Sequence, residues 1–166
     1  MKYINSLYSK NIINGVGGTN FAPNNSLKRE EAAKIIAFAL GITADGSSDG
    51  FDDVSSDAWY YPYVMAMKSS GIINGTGDGN FGVGMSITRQ DAFCMVARAL
   101  DIQYKKDSVL TFNDKESIAP YALESIEKLY SLGIVSGDTN GNVNPDKVIT
   151  RAEFSKIIYM VLELQK

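Results

Sequence analysis

The stretch "GIINGTGDGNFGVGMSITRQDAFCMVARAL" at residues 71–100 decides the reading of this chain, because the chain contains it three times in altered form. "NIINGVGGTNFAPNNSLKREEAAKIIAFAL" at 11–40 and "GIVSGDTNGNVNPDKVITRAEFSKIIYMVL" at 133–162 each lie over it without a gap. A self-similarity at a period of about 60 residues means that one supersecondary unit is reused, so the architecture is a repeat array rather than a single irregular domain.

Each copy reads as helix, loop, helix. The back helix carries apolar residues at 32, 35, 36, 39 and 40, at 92, 95, 96, 99 and 100, and at 154, 157, 158, 161 and 162, which is the stripe of an amphipathic helix. Its start is marked by Thr88 with Asp91 and by Thr150 with Glu153, a hydroxyl followed three residues later by a carboxylate, as in a capping box. Copy one has Lys28 there, which removes the capping oxygen and weakens that start by roughly 1 kcal/mol. A front helix is visible in "YVMAMKSSG" and "ALESIEKLYSLG", with Val64 and Met67, or Ile126 and Leu129, on one side. "FDDVSSDAW" and "FNDKESIAPY" are extended leads to it, and copy one begins at Met1 without one, so its front helix is expected to be short. Polar linkers at 43–50 and 101–111 divide the chain into units 1–45, 46–106 and 107–166.

Two loop motifs dissolve under this alignment. From Gly77 the chain spells G-x-G-x-x-G, but Gly79 faces Thr19 and Gly141, Gly82 faces Ala22 and Asn144, and no βαβ unit surrounds it. Asp138, Asn140 and Asn142 imitate the start of an EF-hand loop, yet Val143 stands where glycine is needed and Ile149 where a bidentate glutamate is needed. All copies keep the first glycine (Gly15, Gly75, Gly137) and the asparagine (Asn20, Asn80, Asn142). The glycine is expected to stop a helix in the left-handed region and the asparagine to cap the turn. A ligand-facing edge at Asp78 and Asp138 is compatible with that role.

Composition narrows the chemistry. The 166 residues carry a net charge of -3 without a basic stripe, which disfavours a nucleic-acid partner. There is no histidine, hence neither the usual general base nor the commonest metal ligand, and one cysteine, Cys94, makes neither a disulfide nor a thiolate cluster. No apolar run is long enough for a membrane span and the start is not a signal peptide, so an exported protein would be represented here by a mature segment. No cofactor and no metal is expected. Cys94 shares its column with Lys34 and Lys156, which suggests a partly exposed thiol.

The unusual residue is an arginine. Arg29, Arg89 and Arg151 occupy the first helical position of every copy, where the macrodipole favours acidic residues instead. Either each pairs with a nearby carboxylate such as Asp53 or Asp114, or guanidinium and free backbone N–H groups together receive a carboxylate or phosphate. Trp59, among Tyr60, Tyr61 and Tyr63, is either core or an aromatic face that stacks on a sugar.

"FDDV" with Trp59, "GIING", "GDGNF" and "ITRQDA" in copy two, and "FND", "GIVSG", "NVNP" and "ITRAEF" in copy three, closely resemble the S-layer homology domain. "NIING", "TNFAP" and "LKREEA" resemble the same unit without its first third. The resemblance implies a mainly α fold, with three repeats in a pseudo-threefold trefoil around a central helical bundle and grooves between neighbours. It further implies a non-catalytic module that anchors exported proteins at the bacterial cell surface by binding secondary cell wall polymer, a glycan bearing ketal-linked pyruvate, or a peptidoglycan-associated glycan.

The family's T-R-A-E arginine maps to Arg89 and Arg151 and, with the threonine replaced, to Arg29; its tryptophan maps to Trp59 and to Tyr121. Glycan contacts are therefore expected at Arg29, Arg89, Arg151, Trp59, Asp78, Asp138 and Gly77, with the groove of Arg89 and Trp59 ranked first. Thr88, Asp91, Thr150, Glu153, Gly75 and Gly137 are expected to be structural, and a chain–chain contact would complete repeat one. The competing reading is a protein-interaction or self-assembly module without direct glycan binding. Catalysis on glycans would require two carboxylates across a sugar cleft, and no such pair stands out.

Overall fold

The computed structural model describes residues 2–17, 20–44, 49–106 and 109–166. Thr19 and the centres of both linkers, with the unit boundaries assigned to them, lie outside the described residues. The chain is mainly helical: α1 (Lys2–Ser9), α2 (Arg29–Leu40), α3 (Tyr61–Ser69), α4 (Arg89–Ala99), α5 (Leu123–Ser131) and α6 (Arg151–Leu164), with single 3-10 turns at Lys115–Ser117 and Pro120–Ala122. The odd-numbered helices are the front helices and the even-numbered ones the back helices. At eight residues α1 is only one shorter than α3 and α5, so the expectation of a short first front helix is corrected.

Helices pair across the repeat boundaries. α3 packs on α2, α5 on α4, and α1 on α6, so that the front helix of each repeat covers the back helix of the preceding one and the chain's two ends meet. α2 also touches both α4 and α6. A back helix thus packs against a front helix and at least one other back helix, which explains why its buried face is wider than the apolar stripe. Besides Ala92, Met95 and Val96, α4 buries Phe93, Cys94 and Ala97.

The segments entering the back helices meet in a ring. Leu27 N–H donates to Ile149 O (3.1 Å), Ile149 N–H to Ile87 O (3.1 Å) and Ile87 N–H to Leu27 O (3.0 Å). All three side chains are fully buried. Each repeat gives one hydrogen bond and takes one, so the closure has a threefold cyclic pattern. A short antiparallel bridge flanks each junction, at Ser26–Thr150, Lys28–Ser86 and Thr88–Val148.

The helix starts differ in how completely they are capped. Thr150 and Glu153 form the full reciprocal box. In copy one Glu31 still accepts from the Lys28 N–H at 2.9 Å while the lysine caps nothing, as expected. In copy two Thr88 accepts from the Asp91 N–H, but the Asp91 carboxylate returns no bond to the cap. It is one methylene shorter than glutamate and faces the neighbouring repeat instead.

The glycine reading also changes. The left-handed stops of the front helices are Asn11, Gly71 and Gly133, at φ 57°, 68° and 70°. The amide after each one bonds back to the helix, as Ile72 does to Met67 O at 3.0 Å. Gly75 stands later, in the loop, also at a positive φ (83°) but under a second constraint: a Cβ there would lie 2.2 Å from Asn80 O, the acceptor that closes the loop onto Thr76 N–H at 2.8 Å. Gly15 has the same neighbour, with a Cβ 2.7 Å from Asn20 O. Gly71→Ala meets open space and only the left-handed penalty, so it is expected to cost about 1 kcal/mol. Gly75→Ala forces the loop apart and is expected to cost more than about 3 kcal/mol, a ranking that urea unfolding midpoints of the two variants will check.

Candidate functional site

The motif arginines are turned toward the neighbouring repeat. Arg29 Nε donates to Phe81 O (3.0 Å) and Nη1 to Asp91 (3.3 Å). Arg89 Nε donates to Val143 O (2.8 Å) and Nη1 to Glu153 (3.3 Å). Arg151 Nε donates to Phe21 O (3.1 Å) and Nη1 to Glu31 (3.2 Å). In each case the arginine of one repeat holds a loop carbonyl and the third helical residue of the next, and the last repeat hands back to the first. The guanidinium that is poorly placed for its own helix therefore neutralises the acidic residue at the start of the neighbouring helix. Burial draws the pKa of Arg29 and Arg89 down from the ordinary value while Asp91 and Glu153 pull it back, and both stay charged.

This corrects the expected partners. Asp53 and Asp114 do not pair with the arginines. The Asp53 carboxylate accepts backbone N–H from Phe81, Gly82 and Val83 at 2.7, 2.7 and 2.8 Å, and Asp114 accepts from Val143 and Asn144 at 2.8 and 2.7 Å. The aspartate of the lead thus fixes the loop that bears the carbonyl for the arginine.

Three clefts result, one on each back helix. On α4, Arg29, Asp91, Arg98, Tyr121 and the loop at Gly75–Thr76 line a cleft of about 390 Å³. On α6, Arg89, Asp138, Lys147, Glu153 and Lys156 line one of about 200 Å³, with Gly137 in its wall. On α2, Gly15, Glu31, Lys34, Trp59 and Arg151 line one of about 210 Å³. Each cleft is built from the arginine of the preceding repeat, the loop and helix of one repeat and, in two cases, the aromatic residue of the following one.

Trp59 and Arg89 consequently belong to different clefts, and the groove ranked first from sequence does not exist. Trp59 stands beside Arg151, half exposed, with the Lys34 ammonium 5.5 Å from its ring, because the lead of repeat two covers the back helix of repeat one. Tyr121, its counterpart in repeat three, donates to Asp91 at 2.8 Å beside Arg29. Burial, and then that bond, pushes the Tyr121 phenol well above its ordinary pKa, so it remains a donor.

Gly77 and Asp78 sit at the tip of their loop with φ 105° and 52° and line none of the three clefts. Asp138 does line one, but it aligns with Thr76 rather than Asp78, and its carboxylate accepts from the Asn140 and Asn142 amides and from Asn144 Nδ2. Those hydrogen bonds hold its pKa below the ordinary value. Cys94 is buried, not partly exposed: α5 covers this part of α4, and burial raises the thiol pKa. Lys34, Lys156, Arg98 and Thr76 were missed as site residues. The lysines were legible as one column of the repeat, whereas Arg98 has an equivalent cation in neither other copy.

The sequence profile of the S-layer homology domain matches residues 1–33, 50–93 and 111–155. The chain is 35% identical over 164 residues to an amylopullulanase of Thermoanaerobacterium thermosulfurigenes, with 96% of this chain and 9% of that protein covered. It is 31% identical over 163 residues to a surface-layer 125 kDa protein of Lysinibacillus sphaericus, covering 96% of this chain and 14% of that one. With the S-layer protein sap of Bacillus anthracis it shares 31% over 157 residues, 93% of this chain and 19% of that one. It thus spans less than a fifth of each of these relatives. The chain belongs to the S-layer homology domain family.

Replacing Asp53 by Asn is expected to cost about 1.5–3 kcal/mol at pH 7, the range for hydrogen bonds to a charged acceptor. Burial raises the Asp53 pKa, the amides of Phe81, Val83 and Gly82 lower it further, and the net folded value lies below the unfolded 3.8. The stabilisation is therefore complete above the unfolded pKa and lost as the pH falls through the folded one. Denaturant titrations of both proteins between pH 7 and pH 2 should show the gap closing only in that acid range.

Proposed function

We propose that this S-layer homology chain is a non-catalytic anchoring module that holds an exported protein at the bacterial cell surface by binding an anionic cell-wall glycan in the clefts between its repeats. One observation carries the reading. The chain has a net charge of -3, yet every cleft has one formal positive charge in excess. The lining has Arg29 and Arg98 against Asp91, Arg151 and Lys34 against Glu31, and Arg89, Lys147 and Lys156 against Asp138 and Glu153. A carboxylate ligand balances that excess, and among the described residues the Nη2 groups of Arg29 and Arg89 have no hydrogen-bond partner to compete with it.

The exposed ring of Trp59 beside Arg151 suits a sugar bearing such a group. The ketal-linked pyruvate of secondary cell wall polymer, which the family resemblance implies, is a carboxylate fixed on a sugar ring. The surface-layer relatives accord with a place at the cell wall.

Catalysis fits less well. The α4 and α2 clefts have one lining carboxylate each, Asp91 or Glu31, already held by an arginine. In the α6 cleft both Asp138 and Glu153 are held below their ordinary pKa, so neither serves as the protonated acid that glycoside cleavage needs.

Lys34→Ala and Lys156→Ala remove cleft cations without touching the backbone hydrogen bonds that join Leu27, Ile87 and Ile149. Each should leave the helical circular dichroism unchanged and lower binding to pyruvylated wall polymer about three- to tenfold, and removal of the pyruvate from the polymer should abolish binding. Equal binding of native and depyruvylated polymer, or of wild type and both variants, would contradict the proposal and favour assembly through the outer faces.

A further inference from the structure

Resting on the glycan-binding reading, we infer that the α4 cleft is a two-compartment site that takes a carboxylate-bearing sugar together with at least one further sugar of the same chain. The α4 cleft has roughly twice the volume of the others, at about 390 Å³ against 200 and 210 Å³. The cause is in the sequence: Lys34 and Lys156 line the other two clefts where α4 has Cys94, a side chain three heavy atoms shorter. The cation is moved instead to Arg98, one helical turn further along the same face.

Arg98 and Tyr121 also line a second, adjoining cleft of about 290 Å³, whose other walls include Tyr104, Glu124 and Lys128. The two spaces therefore share a wall, with Arg98 reachable from both. The second compartment has the composition of a sugar subsite. Tyr104 supplies an aromatic ring and a hydroxyl 3.2 Å from Glu124, and the Lys128 ammonium lies 5.8 Å from that ring.

Lys128 is also held in place, because it donates to Ala97 O at 3.0 Å and to Leu100 O, and so closes the C-terminus of α4. The floor of the subsite is consequently fixed before any ligand arrives. The first compartment offers Arg29 and Arg98 to a carboxylate, and the second offers neutral and mixed-charge partners to hydroxyl groups. A glycan entering with its acidic sugar against Arg29 would run past Tyr121 onto Tyr104.

The test is a site-resolved NMR titration of the intact chain with two probes: a pyruvylated monosaccharide, and the disaccharide that extends it by one neutral sugar. The Cys94 and Arg98 amides report the α4 cleft and the Trp59 indole N–H reports the α2 cleft. At the α4 cleft the disaccharide should bind about tenfold tighter than the monosaccharide, and at the α2 cleft about equally. Tyr104→Ala should remove the disaccharide gain at α4 and leave monosaccharide binding there unchanged.

An equal gain at both clefts, or a gain at α4 that survives Tyr104→Ala, would overturn the inference while the general proposal stands. Failure of the monosaccharide to bind any cleft would instead overturn the general proposal, and this inference with it.

Discussion

The structure depends on a charged hydrogen-bonded contact made once per repeat: the guanidinium at the start of one back helix reaches a loop carbonyl and a carboxylate of the next repeat. Arg29, Arg89 and Arg151 each make it, with carboxylate distances of 3.3, 3.3 and 3.2 Å. The arginine side chains are largely removed from solvent while the carboxylates are about one-third exposed, so each pair is only partly desolvated. Removing one partner would leave the other partly buried and unmatched, which makes the contact costly to break whatever its net contribution. The ring of backbone bonds through Leu27, Ile87 and Ile149 lies beside it and depends on the same register of loops.

Using the arginine to join repeats also puts it at the boundary between them, where a cleft is unavoidable. Nε and Nη1 face protein, and the remaining edge of the fork faces the cleft. In the proposed function, joining and binding fall to different edges of one planar group, which lysine could not do with a single ammonium. The arrangement is not uniform. Arg151 alone has its Nη2 engaged, donating to Asn14 O at 2.7 Å, whereas the edges of Arg29 and Arg89 have no protein partner among the described residues. The three clefts therefore differ in aromatic wall, in free donors and in size, although one sequence unit generated them.

Much of this was legible in the sequence. The repeat, the apolar stripes and the capping threonines gave the helices and their starts, because those features are local. The arginine column was identified as anomalous for its own helix, and that anomaly pointed to an external partner. What the sequence hid was which repeat supplies the partner. A pattern of period about 60 residues says nothing about whether a front helix packs on its own back helix or the previous one, and that choice put Trp59 beside Arg151 rather than Arg89. Asp78 lies outside the three clefts because Asp138 occupies the column of Thr76, two residues earlier in the loop. Cys94 was misjudged by analogy with the lysines of its column, since burial there is set by α5 rather than by α4.

The central claim is that one edge of the arginine fork holds the repeats together while another receives the ligand carboxylate. Nitrogen-15 NMR of the arginine side chains during titration with a pyruvylated monosaccharide tests it most directly. The Nη resonances of Arg29 and Arg89 are expected to shift strongly on binding and Arg151 to respond less, while the Nε–H signals of all three remain protected. Saturable binding that leaves the Arg29 and Arg89 side-chain resonances unmoved, or that releases their Nε–H groups to solvent exchange, would contradict it.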